Sequence, residues 1–74
     1  MKVAIWGAGK MGQVHGQAYK GMGNDVEIAY IVERDVGKAA EFSERFRCRA
    51  VDSLSGLEGK QVDVIDICLP TYLH

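Results

Sequence analysis

The sequence predicts an α/β fold built on a parallel sheet, with strands in the order 3-2-1-4 and helices on both faces. Three observations predict it. Apolar runs of strand length alternate with stretches of helical periodicity. Glycines sit at the first strand-to-helix junction, in Gly7-Ala8-Gly9-Lys10-Met11-Gly12. The connections are long enough for right-handed crossovers and too long for hairpins.

The first strand spans residues 2–6, a near-continuous apolar run suited to burial on both faces. A helix is predicted over residues 10–22, with Met11, Val14, Ala18 and Met22 spaced by three and four as its apolar face. Gly21, Gly23, Asn24 and Asp25 end it in a turn. Residues 26–32 form strand two, rich in β-branched and aromatic side chains. Asp35 is placed to cap a second helix over residues 36–46, whose apolar face uses Val36, Ala39, Ala40 and Phe46. A short third strand falls at residues 48–51. Ser53 or Ser55 caps a brief helical turn holding Leu54 and Leu57, and residues 62–69 form strand four.

The glycine segment has a physical reading of its own. Gly7 permits a tight turn out of the strand, Gly9 lets a pyrophosphate approach the backbone, and Gly12 lets the helix pack close to the strand. Phosphates then meet unpaired N–H groups at the positive end of the helix dipole. Glu33, about 20 residues beyond the glycines at the end of the second apolar run, is the expected partner of the adenosine ribose hydroxyls. Arg34 beside it offers a guanidinium for a 2′-phosphate or for stacking on adenine. NAD is therefore the expected cofactor, with NADP as the alternative. The candidate cofactor contacts are Gly7, Ala8, Gly9, Lys10, Met11, Gly12, Glu33 and Arg34.

Composition bounds the remaining possibilities. The chain has 74 residues, 47% hydrophobic and 26% charged, with a net charge of −1. That is one small domain at most, with no basic stripe for nucleic acid. Its apolar runs are too short to cross a membrane as a helix, and no signal peptide is recognisable. Cys48 and Cys68 lack zinc-site spacing, so no metal is expected. Cys68 reads as core, and a cytoplasmic location fits the cysteine usage. His15 reads as a packed histidine against the loop after strand four, with no second metal ligand nearby. Asp66, mid-strand among apolar residues, needs a partner and reads as a carboxylate tying neighbouring loops.

The glycine motif continues through Gln13 and Val14 to His15, giving G-x-G-x-x-G-x-x-H. Strand four contains Val62-Asp63-Val64-Ile65 and runs on to Leu69-Pro70-Thr71-Tyr72-Leu73-His74. With Glu33-Arg34-Asp35 ahead of Ala39, Ala40 and Phe46, these segments resemble the glucose–fructose oxidoreductase / inositol dehydrogenase (Gfo/Idh/MocA) family. The resemblance implies a partial Rossmann fold. It also implies hydride transfer between NAD(P) and an alcohol carbon of a sugar, cyclitol or similar small molecule. It adds Leu69, Pro70, Thr71 and His74 as cofactor-side candidates. Pro70 and Thr71 shape the loop beside the nicotinamide ribose, while His74 serves either the cofactor or the start of a helix. Leu69 departs from the family, which often has Thr there. The family's acid/base lysine in an E-K-P motif and its substrate domain have no counterpart in these residues. The chain is read as the front of a longer protein and as inactive by itself. The rival reading is a non-catalytic module that forms a homo-oligomer through residues 62–69, an apolar strand with an open edge.

Overall fold

The computed structural model describes residues 1–70. Strands β1 (Lys2–Trp6), β2 (Glu27–Val32), β3 (Arg49–Val51) and β4 (Val64–Ile67) form one parallel sheet in the order β3-β2-β1-β4. Helix α1 (Lys10–Lys20) joins β1 to β2, and α2 (Val36–Phe46) joins β2 to β3. The predicted strand order and pairing direction are those observed.

Alternation along the strands separates two faces. Val3, Ile5 and Ile31 point to one face and cluster with Ala8, Phe42, Phe46 and Cys68. Both α-helices lie over this face. The return from β3 to β4 runs over the other, where the 3₁₀ turn Leu54–Leu57 packs Gly56 on Val51; a Cβ on Gly56 would approach the Val51 Cβ to 2.8 Å. That turn covers only the β2–β3 side. On the β4 side of the same face Ile65 and Ile67 stay 46% and 55% exposed.

Several elements differ from expectation. Helix α1 stops at Lys20, where Gly21 donates to the Gln17 carbonyl, and residues Gly23–Asp25 form a separate 3₁₀ turn. Its predicted apolar face is outward: Met11, Val14 and Met22 are all more than half exposed. The buried positions are Gly12 and Gly16. A Cβ on Gly16 would come within 2.9 Å of the Phe46 ring, and one on Gly12 within 1.9 Å of the Gly7 carbonyl. The helix sits so close to the sheet and to α2 that only glycine fits between them, and large side chains are driven to the far side.

Helix α2 has the predicted bounds and its predicted cap: Asp35 Oδ1 accepts from the Lys38 N–H at 3.1 Å. Its face is rotated from expectation. Val36 is 82% exposed and Ala40 is exposed, whereas Phe42, absent from the predicted face, is fully buried against Phe46 with ring centroids 4.4 Å apart. Strand β3 starts one residue late and β4 is half its predicted length. Cys68 nevertheless prolongs β4's ladder, donating to the Trp6 carbonyl at 2.8 Å. Ser53 stands at the head of its turn without a side-chain capping bond; its hydroxyl pairs with Ser55 instead.

Asp66 is tied to a helix rather than to loops. Its Oδ2 accepts from the Tyr19 hydroxyl at 2.7 Å and lies 2.7 Å from His15 Nδ1. This joins α1 to β4 across the sheet face.

Candidate functional site

The site is built where β1 ends. The Gly7 N–H continues the sheet by donating to the Val32 carbonyl at 2.9 Å. The chain then turns sharply, with Gly7 at φ +111°, a conformation that side chains rarely adopt. A Cβ there would also meet the Cys68 carbonyl at 2.9 Å. Gly9 follows as the N-cap of α1 with no side-chain cap. The first intrahelical bond runs from the Gln13 N–H to the Gly9 carbonyl at 3.0 Å. The N–H groups of Lys10, Met11 and Gly12 therefore have no partner within the helix. No acidic side chain occupies the first turn, so the helix's positive end is not neutralised from within.

The three glycines thus do three different things. Gly7 makes the turn, and Gly12 allows helix and loop to touch. At Gly9 a Cβ would find nothing within 4 Å, so the space above its backbone is open. An unfilled cradle over helix N–H groups fits a diphosphate.

Glu33 closes the site from the end of β2. Its Oε1 accepts from the Ala8 N–H at 2.8 Å, and its Oε2 accepts from the Asp35 N–H at 3.0 Å. The carboxylate is thereby held across the glycine loop at a fixed height. Its own N–H donates to the Val51 carbonyl at 2.9 Å, which anchors it to β3. Two backbone donors leave further lone pairs on each oxygen for hydroxyl groups. Arg34, next in sequence, is exposed. Behind the pair lies a depression of about 280 Å³ lined by Glu33, Arg34, Val36, Ala39, Ala50 and Val51 among others. Larger depressions, of about 500 and 570 Å³, lie around Glu27 and Ile28. Those are at the amino ends of the strands, and ligands in open α/β sheets bind outside the carboxyl ends.

The structure brings Gly7, Ala8, Gly9, Lys10, Met11, Gly12 and Glu33 together. Ala8 is buried, and its contribution is its N–H. Lys10 and Met11 are exposed at the helix start. Leu69 is half-buried beside Gly7, its Cδ2 within 3.3 Å of where a Gly7 Cβ would lie. Pro70 is exposed. Thr71 and His74 fall outside the described residues. The sequence reading missed the Asp35 N–H as the second anchor of Glu33; the local signal was Glu33-x-Asp35, a carboxylate two residues before a helix cap.

His15 also departs from expectation. It was expected to lack a second metal-ligating neighbour, yet Asp66 and Cys68 both stand beside it, 51 and 53 residues away in sequence. Burial alone would raise the Asp66 pKa, but hydrogen bonds from His15 and Tyr19 outweigh it and hold the carboxyl below the usual carboxylate range. The same hydrogen bond, with burial, pushes the Tyr19 hydroxyl up to about 12. Burial and the Asp66 charge push the Cys68 thiol to about 12, and burial takes Cys48 to about 11.

Comparison with known proteins agrees with this geometry. The GFO/IDH/MocA family, described as an oxidoreductase family with an NAD-binding Rossmann fold, matches residues 1–74. The chain is 31% identical over 74 residues to UDP-N-acetylglucosamine 3-dehydrogenase of Acidithiobacillus ferrooxidans, covering all of this chain and 22% of that protein. A myo-inositol dehydrogenase from Corynebacterium glutamicum superposes with a TM-score of 0.85 at 28% identity, over 100% of this chain and 22% of its own. The WlbA dehydrogenase from Chromobacterium violaceum, solved with NADH and UDP-GlcNAcA, superposes with a TM-score of 0.92 over 100% of this chain and 22% of its own. At 21% identity that likeness speaks for the fold. The chain spans about a fifth of the length of these relatives. The parallel 3-2-1-4 sheet and the match over residues 1–74 agree, and the chain belongs to the GFO/IDH/MocA oxidoreductases as an NAD-binding Rossmann unit.

Proposed function

We propose that residues 1–74 are the front portion of the cofactor domain of a dehydrogenase that moves hydride between NAD(P) and an alcohol carbon of a sugar or cyclitol. Nucleotide-linked sugars belong to that class, since the relative from Acidithiobacillus ferrooxidans is a UDP-N-acetylglucosamine 3-dehydrogenase. The substrate domain and the acid/base lysine belong to other parts of the longer protein, and this chain alone does not turn over substrate. A cytoplasmic location is part of the same reading.

The observation that carries the proposal is the pairing of free space at Gly9 with a Glu33 carboxylate already fixed on the Ala8 N–H. The bound nicotinamide ring supplies or accepts the hydride. The residues here bind and orient. The N–H groups of Lys10, Met11 and Gly12 face the diphosphate, with the Lys10 ammonium at the same helix end. Glu33 accepts from the adenosine ribose hydroxyls, and its charge disfavours a 2′-phosphate. NAD is thus preferred over NADP, while the exposed Arg34 keeps NADP the nearer alternative.

Parallel titrations with NADH and NADPH, followed through the amide resonances of Gly7, Gly9 and Gly12, test this. Saturable shifts stronger with NADH are expected, and Glu33→Gln narrows the preference. Shifts stronger with NADPH would transfer the ribose-end role to Arg34. A folded chain with no shift would remove the cofactor-site reading.

A second reading rests on one observation. Among the described residues no strand pairs with the outer edge of β4, and Ile65 and Ile67 lie open beside it. A second copy of the chain adding its own edge there would pair the open ladder and cover one flank of both side chains. Sedimentation at high micromolar concentration distinguishes a dimer from a monomer.

A further inference from the structure

Helix α1 and strand β4 bring three chemically different donors to one spot outside the cofactor site. His15 Nδ1 lies 2.7 Å from Asp66 Oδ2 and 3.3 Å from Cys68 Sγ, and the three donor atoms all lie within 4.8 Å of one another. Two periodicities produce this. Residues i and i+2 of a strand share a face, so Asp66 and Cys68 point together toward α1. Residues i and i+4 of a helix share a face, so His15 stands over them with Tyr19, whose hydroxyl holds the same Asp66 oxygen.

We propose that His15, Asp66 and Cys68 form a binding site for a thiophilic divalent cation of the Zn²⁺ class. Imidazole nitrogen, carboxylate oxygen and thiolate sulfur are the donor types such ions take, whereas Mg²⁺ and Ca²⁺ prefer all-oxygen sites. Three protein donors leave a fourth tetrahedral position for water.

The geometry needs little adjustment. With metal–ligand distances of about 2.0–2.3 Å, donors of a tetrahedral site stand ~3.5 Å apart. The Nδ1–Sγ separation of 3.3 Å is close to that already. The Nδ1–Oδ2 separation of 2.7 Å must open, which the ion brings about by replacing the hydrogen bond that now closes it. The site is reachable, because the His15 side chain is 38% exposed, while Asp66 is only 18% exposed and Cys68 is buried behind it.

Binding forms three metal–ligand bonds and breaks two: the Cys68 S–H, whose proton leaves to solvent, and the His15 Nδ1–H, whose proton is carried on Nε2 in the neutral tautomer that binds through Nδ1. The ion would pin α1 to β4 next to the glycine turn, since the Cys68 carbonyl is the group that crowds Gly7. Metal occupancy and the position of the phosphate-binding loop are thereby coupled through the backbone of residue 68.

Titration of the reduced polypeptide with Co²⁺, a spectroscopic stand-in for Zn²⁺, tests the site. A saturable thiolate-to-cobalt charge-transfer absorption at one equivalent is expected, displaced by Zn²⁺. Cys68→Ser removes it, while Cys48→Ser keeps it, because Cys48 is not part of the cluster. If Cys68→Ser does not fold, as judged by thermal unfolding in chelator, His15→Gln decides on the same readout by abolishing the band. A wild-type chain without the absorption overturns the proposal, and so does a folded Cys68→Ser or His15→Gln variant that retains it.

Discussion

Replacing Gly9 with alanine separates binding from folding. The Gly9 backbone is at φ −75°, ψ −163°, a conformation any residue adopts, and the added Cβ meets nothing within 4 Å. Alanine is a poorer N-cap than glycine, which costs about 0.5 kcal/mol, but it narrows the unfolded ensemble, which returns about as much. Net stability therefore moves by no more than about 0.5 kcal/mol, or roughly 2–4 °C in Tm for a domain of this size. The nucleotide experiences the methyl differently. It stands in the open space where the diphosphate approaches and forces it away from one helix N–H group. Each charge-assisted bond of that kind contributes about 1.5–3 kcal/mol, so NADH binding weakens by roughly 10- to 100-fold. Thermal unfolding and an NADH titration on the same sample give both numbers. A Gly9→Ala chain that binds NADH as tightly as the wild type refutes the placement of the phosphates over Gly9. A variant that unfolds refutes the claim that this space is empty in the folded chain.

Other outcomes follow from the same geometry. Gly12→Ala behaves oppositely to Gly9→Ala: its Cβ would stand 1.9 Å from the Gly7 carbonyl. Overpacking of about 3 kcal/mol or more outweighs the roughly 1 kcal/mol gained in helix propensity, so a Tm lowered by some 10 °C is expected by calorimetry. The Asp66 carboxyl is held below its unfolded value, so the unfolded chain takes up the proton first as pH falls. The stability this group contributes is present above about pH 4 and is lost as pH drops through the folded-state value. In chelator, Asp66→Asn should cost about 1 kcal/mol at pH 7, allowing for the exposure of His15, and should show a flatter acid limb than the wild type. The Cys48 and Cys68 thiols, at about 11 and about 12, should stay unreactive toward a disulfide reagent at pH 7.5 until the chain is unfolded.

Strand order, the two crossover helices, the Asp35 cap and the glycine turn were all legible along the chain. Each depends on short-range chemistry: an apolar run, a turn that only glycine makes, a carboxylate at a helix start. The bounds of α2 were legible for the same reason, since Asp35 marks its start and the end of the run of helix formers marks its finish. Even the division of labour among Gly7, Gly9 and Gly12 follows from what a missing Cβ allows. The return crossover was legible only in direction. Its coverage, one turn on Val51, depends on how far residues 54–57 reach across the sheet.

The burial faces were not legible. A periodicity of three and four identifies a helix, but it does not say which side the helix presents when glycines permit an approach closer than side chains would. In α1 the apolar side chains Met11 and Val14 point outward, yet the contact with Phe42 and Phe46 is made through Gly16. Pattern reading counts side chains, and here the contact is made where the side chain is missing. The cluster of His15, Asp66 and Cys68 stayed hidden because it joins one helix residue to two strand neighbours more than 50 positions away.

The sequence by itself determined an α/β fold with a glycine turn at the head of α1 and a carboxylate, Glu33, at the end of the neighbouring strand, because those features rest on neighbours in the chain and on the conformations their backbones allow. The tertiary structure alone decided how close α1 lies to the sheet, which faces are buried and which donors meet across more than 50 residues. Those outcomes depend on the distance between packed elements, a quantity that no stretch of sequence carries by itself.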